Sequence, residues 1–176
     1  MALACILYTP ILLLVSACTQ TSPPSSGPSS TSIANVSAVK IARAMVEHHV
    51  IRLRPGQDLK AELLAFAEEH EVDAGWIVTC VGSLTQYALR FANVDEGSTG
   101  SGHFEIVSLT GTLARSGAHL HMSVSDSEGR TTGGHVLDGN VVYTTAELVI
   151  AVDHAKRFDR EVDSTYGYRE LIVWPQ

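Results

Sequence analysis

His119, His121 and His135 are the side chains of this 176-residue chain whose type and spacing promise most chemistry. They lie in Ala118-His-Leu-His-Met-Ser-Val-Ser-Asp-Ser-Glu-Gly-Arg-Thr-Thr-Gly-Gly-His135. Neutral imidazoles are common ligands of divalent transition metals, and three of them on one face would hold zinc with a fourth position left for water or substrate. Whether they share a face depends on the turn between them. Asp126 first and Gly129 fourth are the preferences of a type I turn, and a three-residue hairpin loop joins such a turn to a left-handed glycine. With Ser127-Glu128-Gly129 as that loop, Asp126 faces Arg130 and His121 faces His135, their Cβ atoms about 5 Å apart. His119, two residues from His121, falls on the same face. A two-residue loop, Glu128-Gly129, would set His135 opposite Met122 and turn it to the other face. A bulge at Gly133-Gly134 would also change the count. The three-residue loop is the expected arrangement.

Other chemistries are poorly served. Gly82-Ser83 lacks the Gly-x-Ser-x-Gly elbow of a serine hydrolase, and no phosphate-cradling glycine loop is present. Cys80 lies in an apolar run and reads as a small buried hydrophobe. His48, His49, His70, His103 and His154 have no spacing partners and default to surface or loop roles. A cupin barrel also uses His-x-His, but it expects a glutamate a few residues on, and here the first acids are Asp126 and Glu128 in the turn.

The elements that position the histidines follow from pattern. His48–Arg54 alternates as a first strand and Pro55-Gly56 ends it. Asp58 can cap a helix with the apolar stripe Leu59, Leu63, Leu64, Phe66 and Ala67. Gly75–Val81 is a continuous β-rich run expected to be central. Strands are also expected at Leu84–Val94, Phe104–Ala114, His119–Ser125, Thr132–Val142, Thr145–Asp153 and Tyr168–Trp174. One helix on a mostly antiparallel sheet is an α+β arrangement.

Ahead of this domain the composition changes twice. Residues 1–18 are apolar, centred on Ile11-Leu-Leu-Leu-Val15, and too short for a comfortable membrane span. They end in Val15-Ser16-Ala17-Cys18, which resembles the lipobox of bacterial lipoproteins, with Cys18 as the lipidated residue. No Lys or Arg precedes Lys40, a departure from the usual charged start. An ordinary cleaved signal or a misplaced start are the alternatives. Residues 19–46 begin rich in Ser, Thr and Pro and read as a tether between membrane and domain. The expected location is therefore the bacterial cell envelope, outside the cytoplasm. The domain, 47–176, holds ten basic and 19 acidic residues. Such a balance disfavours nucleic acid, whose binding rests on phosphate neutralisation.

Glu47-His-His-Val-Ile-Arg-Leu-Arg-Pro-Gly-Gln-Asp58, Phe104-Glu-Ile-Val-Ser-Leu-Thr-Gly111, His119-Leu-His121, Gly133-Gly-His135 and Thr144-Thr-Ala-Glu147 occur in order. Together they resemble the plants-and-prokaryotes-conserved (PPC) domain, in its bacterial and archaeal branch. The resemblance implies an antiparallel sheet flanked by helices, a compact homotrimer, and His119, His121 and His135 at a metal site, with zinc the leading candidate. Plant members read DNA through separate AT-hook arms. This chain has no Arg-Gly-Arg-Pro hook, so no nucleic-acid partner is expected.

A closed metal site would need a fourth protein ligand. Glu147 is the candidate, either as a ligand or as an acceptor orienting an imidazole N–H; an exposed strand carboxylate is the alternative. Two functions fit. One is a membrane-tethered trimeric module that holds a metal or a small ligand. The other is a zinc-dependent hydrolase or lyase of a small envelope metabolite, for which an open coordination position in a pocket lined by Arg52 or Arg90 would suggest an anionic ligand.

Overall fold

The computed structural model describes residues 46–176. The expected signal, Cys18 and the tether lie outside them. The described chain runs β1 (Val46–Leu53), α1 (Leu59–Glu69), β2 (Gly75–Arg90), β3 (Gly97–Ala114), β4 (Gly117–Ser125), β5 (Thr131–Val136), β6 (Val141–Asp153), β7 (Lys156–Val162) and β8 (Arg169–Pro175). Six strands form an antiparallel sheet in the order β1-β6-β2-β3-β4-β5, and β7 and β8 form a separate hairpin. This is the α+β arrangement expected, with one helix among the described residues where the resemblance implied helices.

Helix α1 starts where the capping rule places it: the Asp58 carboxylate accepts from the Ala61 N–H at 2.9 Å. Leu59, Leu63, Phe66 and Ala67 are buried. They pack on the sheet face that presents Leu84, Leu113, Leu120, Leu148 and Ile150. Strand alternation sends the other side chains to the opposite face. On β4, Leu120, Met122 and Val124 point into this core, so His119 and His121 point away from it.

The strands differ from expectation in four places, the first being β3, which begins at Gly97 and not at Phe104. Gly75–Val81 and Leu84–Val94 are one long strand, β2, bent by register shifts beside β6. The stretch Thr132–Val142 is broken at Leu137–Asn140, because Asn140 is buried and donates its amide to the carbonyls of Ala88 and Leu137 while accepting from the Ala88 N–H. A side chain that satisfies three backbone groups replaces ladder bonds and ends β5 there. Strand β7 was not anticipated; its sequence, Lys-Arg-Phe-Asp-Arg-Glu-Val, carries too few apolar residues to declare a strand.

Candidate metal centre

The β4–β5 turn closes as its residues dictate. The Gly129 N–H reaches the Asp126 carbonyl at 2.9 Å and the Asp126 N–H reaches the Arg130 carbonyl at 3.0 Å. Gly129 has φ +76°, the left-handed conformation the loop needs. The Arg130 guanidinium donates to the Asp126 carboxylate and, with the N–H groups of Glu128 and Arg130 that it also accepts from, holds its pKa below the usual carboxylate range. The loop is therefore Ser127-Glu128-Gly129, and it sets the register: Ser125 pairs with Thr131, and His121 with His135. The register runs unbroken through Gly133 and Gly134, so no bulge intervenes.

Those two glycines have another use. Strand β5 is gripped from both sides, because β2 returns to pair with it at Leu89–Val136 and Arg90–His135. A Cβ on Gly134 would stand 2.5 Å from the Arg90 carbonyl oxygen, so only glycine allows β2 so close. The close approach fixes His135 between β4 and β2.

The three imidazoles converge as expected. Ring centroids are 5.1 Å apart for His119–His121 and His119–His135, and 5.6 Å for His121–His135. One ligand nitrogen from each lies within 4.8 Å of the others. His135 Nδ1 is buried and has no hydrogen-bond partner. Such an orphan costs about 1–3 kcal/mol in a native fold. A cation shared by the rings offers compensation for that cost, and the all-imidazole donor set suits zinc or a similar transition metal. Burial lowers the pKa of His135 to about 4, with the charges of His119 and Arg90 acting in the same direction. Burial, Arg160 and His121 lower that of His119. Both rings are thus held in the neutral form that coordinates a metal.

Other sequence candidates fall differently. Arg90 lines a cavity of about 590 Å³ with His119 and His135. Glu147 does not join the cluster: it is exposed on β6, opposite Arg52 of β1 and Val81 of β2. Two strands separate β6 from β4, about 14 Å at ordinary strand spacing. Arg52 is on the far edge strand, where its Nε donates to Thr145 Oγ1 at 3.0 Å. Neither reaches the histidines within this chain. Cys80 is buried and its thiol is pushed up to about 12 by burial, an inert core residue as read from sequence. His49 and His70 pack with Phe66 rather than standing alone, with centroids 5.2 Å apart for the two imidazoles.

The residues that pattern reading missed come from the hairpin. Arg160, Tyr168, Arg169 and Glu170 line the cavity beside His119 and His135. Arg160, Glu170 and Leu171 also line a second cavity of about 270 Å³ beside His119 and His121. Residues 156–170 hold four basic and four acidic residues, so their composition gave little signal.

The Plants and Prokaryotes Conserved (PCC) domain matches residues 41–153, more than half of the sequence. The chain belongs to that family. The bifunctional protein GlmU of Synechococcus sp. (strain JA-3-3Ab) is 47% identical over 123 residues, which are 70% of this chain and 20% of that protein. A second Synechococcus GlmU is 44% identical over 125 residues. The chain thus spans about a fifth of the length of the curated relatives it matches. A solved hypothetical protein from Salmonella enterica is 41% identical with a TM-score of 0.74, over 74% of this chain and 95% of that one. A Bacteroides thetaiotaomicron structure described as a candidate DNA-binding protein has a TM-score of 0.63 at 24% identity, over 71% of this chain and 91% of that one. A metal-containing protein from Archaeoglobus fulgidus has a TM-score of 0.62 at 21% identity, over 72% and 93%. At those last two identities the likeness is one of fold.

Proposed function

We propose that this chain is an exported, lipid-anchored small-ligand module in which His119, His121 and His135 hold a divalent metal, with zinc as the resident ion. The observation that carries it is the convergence of three ligand nitrogens within 4.8 Å of one another, on rings that line two cavities between them. The metal-containing description of the Archaeoglobus relative supports it. When bound, a zinc ion would supply a Lewis-acidic centre and a lowered water pKa. The chain's own part is to present three neutral imidazoles from two strands in fixed register and to keep the Arg90 guanidinium beside them.

Among the described residues no fourth His, Cys, Asp or Glu joins the set. That favours an exchangeable ligand over a closed structural site, and keeps the hydrolase or lyase reading open beside the binding module. A homotrimer is part of the proposal. The sheet face opposite α1 exposes Val50, Val81 and Val107, which a neighbouring copy would cover. Export rests on the apolar segment and Cys18, with the 19–46 tether holding the 47–176 domain off the membrane. Mass spectrometry of the native N-terminus tests it: a diacylglyceryl mass on Cys18 is expected, and an intact Met1 contradicts it. The acidic balance and the missing AT-hook support the absence of a nucleic-acid partner, against the description of the Bacteroides relative. Metal analysis of the purified chain and of His121→Ala tests the centre itself.

A further inference from the structure

The hairpin β7–β8 lies beyond the family match, which ends at residue 153. It nevertheless supplies much of the wall in front of the histidines. Three guanidinium groups, from Arg90, Arg160 and Arg169, line the same cavity of about 590 Å³. Two of the five other described arginines are neutralised: Arg115 pairs with Asp73 at 2.7 Å, and Arg130 pairs with Asp126 and Glu128. None of the three cavity arginines has a carboxylate within salt-bridge distance among the described residues, although the domain has an excess of acids.

The two hairpin arginines are held without being neutralised. Arg160 donates to the Arg169 carbonyl at 3.1 Å and to Thr112 Oγ1 at 3.3 Å. Arg169 donates back to the Arg160 carbonyl at 2.7 Å. Neutral acceptors fix the side chains across the hairpin and onto β3 while leaving their full charge directed at the cavity. Two carboxylates, Asp95 and Glu170, share the lining and leave the guanidinium groups in excess. Tyr168 adds a hydroxyl and an aromatic ring to the wall. The cavity is of the size that takes small molecules rather than polymers.

We infer that the hairpin turns the histidine centre into a receptor for a small anion, a phosphate ester or a polycarboxylate, gripped by Arg90, Arg160 and Arg169 beside the imidazoles. Planar guanidinium forks suit both oxyanions, and charge-assisted hydrogen bonds are stronger than those between neutral groups. This deepens the proposed function and rests on its small-ligand reading. It does not require that the ion be present, because β2 carries Arg90 and the hairpin carries Arg160 and Arg169.

Isothermal titration of the full chain, metal-free and zinc-treated, with inorganic phosphate and separately with citrate, tests the inference. Saturable binding of at least one is expected, and which one binds assigns the ligand to the phosphate or the carboxylate class. Arg90 belongs to β2 and not to the hairpin, and Arg90→Gln should weaken the binding by about tenfold, the loss of one charge-assisted bond. Arg160→Gln should do the same. In both variants zinc affinity should hold or rise, since a cation is removed from beside the metal. A variant that merely unfolds the site would lose both affinities together. Zinc uptake without uptake of either anion would overturn the anion receptor and leave the metal centre standing. Anion uptake indifferent to Arg90 and Arg160 would overturn it too, as would a protein that binds a DNA duplex and neither small anion. Arginine-dependent anion uptake without zinc uptake would support the receptor and sink the metal reading.

Discussion

His121 is the residue on which the site turns, because its place opposite His135 makes the cluster. Its position was legible before any coordinates, from Asp126, Gly129 and the arithmetic of a three-residue loop. Local turn chemistry determines register over a hairpin, and register determines which side chains share a face. The charge state of the neighbours was not legible, since it depends on burial and on arginines remote in sequence. His119 and His135 are both held below their ordinary pKa of 6.5, His135 at about 4. In the unfolded chain they regain that ordinary value, so between about pH 6.5 and 4 the unfolded state binds more protons than the folded one. Stability of the metal-free protein should accordingly fall as pH drops through this window, and His135→Gln should flatten the slope. A Tm that is level across the window in the parent would contradict this. The aspartates held low, Asp126, Asp153 and Asp163, act in the more acidic range and do not blur the result.

At the scale of elements, the site depends on β5 being clamped between β4 and β2. Gly134 permits the approach of Arg90, and Asn140 ties the end of β5 to Ala88 through its buried amide. Gly134→Ala should destabilise the domain by about 1–3 kcal/mol, the usual cost of forcing atoms into a packed site, and should weaken metal uptake by displacing His135. Denaturant unfolding and a zinc titration read both effects. Unchanged stability would show that the clamp is loose. Asn140→Ala removes the Asn140 partner of the Ala88 N–H and the Leu137 carbonyl and one of two donors to the Ala88 carbonyl, and should cost about 2–3 kcal/mol. A loss under half of that would mean water substitutes for the amide. The central sheet was readable from its apolar alternation, and so was α1 from Asp58 and the leucine stripe. The break at Leu137–Asn140 was not. Thr132 to Val142 alternates well enough to pass for one strand, and only the tertiary bonds of Asn140 interrupt it. The β7–β8 hairpin escaped for the opposite reason, because it packs little apolar surface and announces no strand.

At the scale of the whole molecule, one sheet face is covered by α1 and the other carries both the histidines and exposed valines. Val81 is 57% exposed and Val107 58%, more than a lone domain has reason to leave in water. The expected outcome in sedimentation is a trimer, and Val81→Lys should shift it to monomer without unfolding, because Glu147 pairs opposite that position. A parent chain that sediments as a monomer would count against the assembly. Family resemblance was legible in the ordered motifs from Glu47 to Glu147, and it carried the fold correctly. It did not carry the C-terminal hairpin, which lies past residue 153, where the family match ends, and supplies two of the three arginines lining the cavity. Glu147 and Arg52, attractive by type, stand on strands too far from β4 for a single chain to use them there. Sheet order, which sequence patterns leave open, decided this.

Metal stoichiometry tests the central claim most directly. Elemental analysis of the purified chain, after equilibration with zinc and removal of the free ion, should give about one zinc per chain. The same measurement on His121→Ala, with folding checked by circular dichroism, should give essentially none. A parent chain that folds and retains no metal, or a folded His121→Ala that retains as much as the parent, would contradict the account.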